Sequence, residues 1–179
     1  AKGAGMIEPG FATMLCFVQT DAVVSRPEET LRQAVDSSFE RITVDDQMST
    51  NDTVLLQASG SSGIELPDGL LDAVLLQLAL EIDATQPAAW RNLGVVLAES
   101  KEWDAARECF RNALKYDPAW PDGHRYLSIA FEGAGQLEEA ARESRAALEQ
   151  NPNDQEGLKL FVHQMLRLEK RAEARTALL

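Results

Sequence analysis

Three sets of side chains in this sequence have the chemistry or the spacing to do work. The first is Thr13, in the stretch FATMLCFVQTDA at residues 11–22. A threonine hydroxyl is a weak nucleophile until a base takes its proton. If the chain is cut before such a residue, the freed α-amine, with a pKa near about 8, can act as that base. By spacing alone Thr13 reads instead as a β-branched residue opening a strand, since the run after it alternates apolar and polar positions. The second set is Arg91, Arg125 and Lys159, which stand 34 residues apart. The third is Cys16 and Cys109. They form neither a disulfide framework nor a metal pattern, and read as buried free thiols in a reducing compartment.

The elements that must position these residues differ between the two halves of the chain. Of 179 residues, 45% are apolar and the formal charge is −12. Residues 1–82 carry 4 Lys/Arg against 13 Asp/Glu, and residues 83–179 carry 13 against 16. Such a chain should avoid nucleic acid and anionic membranes by repulsion. No apolar run reaches the roughly 18 residues of a membrane span, and no signal peptide is expected. The first residue is Ala1, which suggests a fragment, a processed product or a designed chain.

The C-terminal half repeats itself. ALEIDATQP at 79–87, ALKYDPAWP at 113–121 and ALEQNPNDQ at 147–155 each begin 34 residues after the last. Trp90, Leu93, Gly94 and Leu97 form one helical stripe, and Ala106, Phe110 and Ala113 a second, with polar ESKEW between them. Small Gly94 and Ala106 let two helices approach closely, and Pro118 stops the second helix. This pattern resembles the tetratricopeptide repeat, in which Trp, Leu-Gly, Ala, Phe, Ala and Pro fall at these spacings. The resemblance implies repeats at 87–120, at 121–154, where His124 and Ser128 replace the usual Trp and Gly, and at 155–179, truncated in its second helix. Residues 67–82 read as the second helix of a half repeat. SGSSG at 59–63 rules out a first helix immediately before it.

The N-terminal half reads as two strands, 12–20 and 53–59, and one helix, 28–41, with Pro27 and two glutamates at its start. AKGAGMIEPGFATMLCFVQTDA and VDSSFERITVDDQMSTNDTVLLQASG resemble the bifunctional ornithine acetyltransferase (glutamate N-acetyltransferase) family, over residues 1 to about 82. In that family the precursor cuts itself before a threonine in this setting. The new terminal threonine takes an acetyl group from N-acetylornithine and passes it to glutamate. The resemblance implies a cleavage site between Ala12 and Thr13, Thr13 as nucleophile, and Lys2 as a substrate contact. The family's oxyanion hole comes from its α chain, upstream of the matched residues. Asp45-Asp46-Gln47 departs from the family's Asp-Gly turn, and STNDT at 49–53 reads as a turn with side-chain-to-backbone hydrogen bonds.

The fold expected is an α+β fragment (1–66) followed by a shared junction helix (67–82) and an all-α tetratricopeptide solenoid (83–179), mostly helical overall. We expect a chimera: a cytoplasmic interaction scaffold carrying an acetyltransferase-like fragment that is catalytically inactive alone. The alternative is a glutamate N-acetyltransferase of arginine biosynthesis, active only with a missing α chain. No cofactor, metal, nucleic acid or membrane is implied. By family resemblance Arg91, Arg125 and Lys159 face the repeats' concave groove, joined by Asn92, Tyr126 and His163. They would receive a protein or acidic peptide segment, bound extended. The bland reading is a solvated face with local ion pairs, such as Arg125 with Glu132. The carboxylate clamp of chaperone-binding repeats is not reproduced, because Val95, Tyr126, Glu156 and Leu160 replace most of its polar members.

Overall fold

Alternation makes a strand of LCFVQT: in the computed structural model, which describes residues 15–38 and 53–169, it forms β1, Leu15–Thr20. Its partner is β2, Thr53–Ala58. The two run parallel, with Phe17 opposite Leu55 and Gln19 opposite Gln57. Between them lies α1, Pro27–Ser38, with Pro27 at its first position and Glu28 and Glu29 in its first turn. The N-terminal residues of the expected first strand, 12–14, and the last of the expected helix, 39–41, lie outside the described residues.

The chain divides into two units, residues 1–93 and 94–179. In the first, α2, Leu70–Ile82, packs with α1 and one face of the sheet. Cys16, Ala34, Leu71, Leu75 and Ala79 are its buried core, with Val18, Leu31, Val35, Val54 and Leu56 at the edge. The other face presents Phe17 and Leu55, about half exposed. The junction helix starts three residues later than expected. Leu70 N–H bonds back to the Pro67 carbonyl at 3.2 Å, and Gly69 sits at φ 74°, so 67–69 form a turn. The SGSSG segment turns, and α1, reached across β2, supplies the apolar side chains that pack with α2.

Helical hairpins follow: α3, Pro87–Glu99; α4, Trp103–Tyr116; α5, Gly123–Gly133; α6, Leu137–Gln150; α7, Gln155–Arg167. With two parallel strands and seven helices among the described residues, the fold is an α+β fragment followed by a helical-hairpin solenoid of tetratricopeptide type. The period of 34 appears in backbone detail. Asp83, Asp117 and Asn151 are the C-caps of α2, α4 and α6, and their N–H groups bond to the carbonyls of Ala79, Ala113 and Ala147. Asp83 and Asn151 also accept from the backbone two residues on, at 2.9 and 3.3 Å, which closes the turn into the next helix. The turns inside the hairpins match as well. Lys101, Gly135 and Glu169 all take positive φ, 62°, 78° and 59°. The N–H groups of Glu102 and Gln136 then reach back to the Leu97 and Phe131 carbonyls at 2.8 and 2.9 Å.

In the second unit Phe110, Ala106 and Ala113 are buried, as are Ala130, Phe131, Ala140 and Ala147. Gly94 lies against the Phe110 ring and Gly133 against the Trp103 indole, each too close for a Cβ. Phe110, Trp120 and Tyr126 form an aromatic cluster with ring centroids 5.3–6.1 Å apart. Among the described residues no helix is long and apolar enough to cross a membrane.

Candidate functional site

Thr13, Ala12 and Lys2 lie outside the described residues, as do Asp45-Asp46-Gln47 and most of STNDT. Within the acetyltransferase-like stretch the structure describes residues 15–38 and 53–82. Cys16, on β1, is buried, and burial pushes its thiol above the usual range. Cys109 on α4 is pushed up to about 11, first by burial and then by the neighbouring Glu108 charge. Both are free. A thiol held protonated is a poor nucleophile and a poor metal ligand.

The six groove candidates divide between the units. Arg91 and Asn92 belong to the first. Asn92 is committed there: its side-chain amide donates to the Ser37 carbonyl at 2.7 Å, tying α3 to the end of α1. Arg91 is also engaged. In the second unit Arg125 donates to Asp122, the N-cap of α5, at 2.7 Å, and lies 4.0 Å from Asp154, the N-cap of α7. Lys159 donates to Glu156 at 2.7 Å and is 70% exposed. His163 stands 3.5 Å from Glu132. Tyr126 stacks on Trp120 at 5.5 Å, with the Arg125 guanidinium 5.9 Å from its ring.

Arg125 and Lys159 therefore each pair with a carboxylate three residues before them. The companion anticipated for Arg125 was Glu132. Glu132 instead binds Arg167 at 2.6 Å and the Gln164 amide at 2.8 Å. Spacing drew attention to Ser128, as a departure from the usual Gly, but not to Gln164, Arg167 or Ser144. The available signal was that Ser128 and Ser144 fall where the preceding repeat has Gly94 and Phe110.

The sequence profile of the ArgJ family matches residues 1–115, so it extends past residue 82 through α3 and most of α4. The arginine biosynthesis bifunctional protein ArgJ of Bifidobacterium longum is 43% identical over 136 residues, covering 66% of this chain and 34% of that protein. The protein of the same name from Mycobacterium leprae is 54% identical over 74 residues, covering 40% and 18%. The chain spans about a third of the length of the first of these curated relatives. Among solved structures, a MamA crystal structure aligns with TM-score 0.58 at 17% identity, over 60% of this chain and 63% of that one. MamA residues 41 to the end from Desulfovibrio magneticus RS-1 give 0.57 at 18%, over 60% of each chain. Identity that low reports a shared helical fold and nothing more. The profile covers well over half of the sequence, and the chain belongs to the ArgJ family.

Proposed function

We propose that this chain is an interaction scaffold, in which a tetratricopeptide-type array joined to an ArgJ-type segment carries the activity. The observation that supports it most is the continuous set of equivalent caps and turns from α2 to the end of α7. A regular array of this kind presents a repeated surface with few units. We take 1–66 as the acetyltransferase-like segment, 67–82 as a helix shared with the array, and 83–179 as the repeats. The chain is on this reading a chimera that works in the cytoplasm.

Within the second unit, Arg125, Tyr126, Lys159 and His163 are the groove residues of this proposal, and an acidic, extended peptide segment is the ligand. The existing ion pairs set the strength. An exposed pair at i,i+3 is worth about 0–1 kcal/mol, so a ligand carboxylate can displace it, but with little gain. Binding is therefore weak and salt-sensitive. Titration of acidic peptides at two salt concentrations tests this, with the wild type and Arg125→Glu/Lys159→Glu side by side. Wild-type binding that weakens with salt and is lost in the double variant agrees with the proposal. Equal binding by both proteins rejects it.

A second reading has its own support, the name shared by the relatives, arginine biosynthesis bifunctional protein ArgJ. Here Thr13, released by cleavage after Ala12, carries acetyl from N-acetylornithine to glutamate, and Lys2 contacts substrate. The activity then requires the remainder of an ArgJ fold, including its α chain, because an acyl-enzyme needs oxyanion donors in place before substrate arrives.

A further inference from the structure

The second unit contains a polar cluster centred on three fully buried side chains. Ser128 on α5, Ser144 on α6 and Gln164 on α7 are completely buried. Gln164 spends its whole amide there. Its Oε1 accepts from Ser144 Oγ at 2.6 Å, and its Nε2 donates to Ser128 Oγ at 2.8 Å and to a Glu132 carboxylate oxygen at 2.8 Å. Ser128 Oγ donates onward to the Ala140 carbonyl at 2.8 Å. The second oxygen of Glu132 takes Arg167 Nη1 at 2.6 Å, with His163 Nδ1 at 3.5 Å. The network is closed, as burial away from water demands.

The repeat explains where this network comes from. Thirty-four residues before Ser128 and Ser144 stand Gly94 and Phe110. In that hairpin the Phe110 ring fills the space above Gly94. Two serines are too small to fill the equivalent space between α5 and α6. Gln164 fills it from the following helix. The residue equivalent to Gln164 in the preceding repeat is Ala130, which has neither the reach nor the polarity for the task.

We infer that Ser128, Ser144 and Glu132 form a keyed socket on the α5–α6 hairpin that accepts one kind of helix in one register: a helix bearing glutamine followed three residues later by arginine, as in Gln164 and Arg167. A slip of α7 by one residue brings His163 or Met165 to the socket, and a slip of one turn brings Leu160 or Leu168. None of these satisfies two hydroxyls and a carboxylate together. A buried donor or acceptor left alone costs more than its hydrogen bond contributes, so the socket penalises each wrong register. A single buried polar residue fixes register in a coiled coil in the same way. The inference rests on Ser128, Ser144 and Gln164, which are fully buried and are not groove residues.

The test is made on the full chain by NMR, comparing wild type, Gln164→Leu, and Ser128→Ala/Ser144→Ala/Gln164→Leu. Two readouts are used: amide hydrogen exchange along α4 and α7, and the number of amide resonances for Phe161 and Met165. In Gln164→Leu we expect α7 to lose about tenfold or more of its protection while α4 keeps its own, the scale expected for orphaned buried polar groups. In the triple variant, whose apolar socket no longer discriminates, we expect Phe161 and Met165 each to give more than one resonance. Wild-type protection of α7 in Gln164→Leu would overturn the inference. So would a single resonance for each residue in the triple variant, which remains decisive if Gln164→Leu does not fold.

Discussion

The Phe110 ring occupies the space that a Cβ on Gly94 would need. Phe110 is buried on α4, and the ring lies against the backbone of α3. Gly94 is thus present for close approach and not for backbone freedom. Alanine at this position gains about 1 kcal/mol of helix propensity, but overpacking a filled core costs about 1–3 kcal/mol. We predict that Gly94→Ala lowers the stability of the chain, read as a lower midpoint in urea. A Gly94→Ala/Phe110→Leu pair should recover part of the loss.

Lys101 and Gly135 occupy equivalent turns, both at positive φ. A lysine there bears the steric cost of the left-handed region, about 1–2 kcal/mol, whereas glycine does not. Part of that gain is offset by the greater freedom of glycine in the unfolded chain. Lys101→Gly should therefore stabilise the second unit by roughly 0.5–1 kcal/mol, visible as a raised thermal midpoint. The reverse change, Gly135→Lys, should destabilise it by a similar amount.

The Cys109 thiol, raised to about 11 by burial and by Glu108, ties stability to alkaline pH. The unfolded thiol ionises near about 8.5 and the folded one later. Its contribution is fully present below the unfolded value, and it is lost as pH rises through the folded one. We predict a decline in stability between about pH 8.5 and 11 that is reduced in Cys109→Ala. At pH 8 a thiol reagent should label Cys109 slowly in the folded chain and quickly in denaturant.

The period of 34 was legible because each hairpin repeats its own local chemistry. Asp83, Asp117 and Asn151 share a cap, and the apolar stripes of α3 and α4 follow from spacing alone. The partnership of α1 with α2 was not legible, since β2 and the SGSSG turn separate them and periodicity does not say which distant face completes a core. The hydrogen bond of Asn92 was not legible for the same reason: its acceptor, Ser37, lies 55 residues away in sequence. Gln164 stands in the sequence as a lone polar residue between His163 and Met165. Only the pairing of Ser128 with Ser144 at two core positions hinted at a buried polar partner.

On the function proposed above, the array, and not acetyl transfer, is what this chain does by itself. The most direct measurement is formation of N-acetylglutamate from N-acetylornithine and glutamate by the full chain, with Thr13→Ala as control. We predict product at the no-protein background for both. The reason is that one oxyanion donor alone can be worth about 10²–10³ in rate, and the chain spans only a third of a relative's length. Turnover above background that disappears in Thr13→Ala, accompanied by a species beginning at Thr13 in the intact mass, would contradict the account.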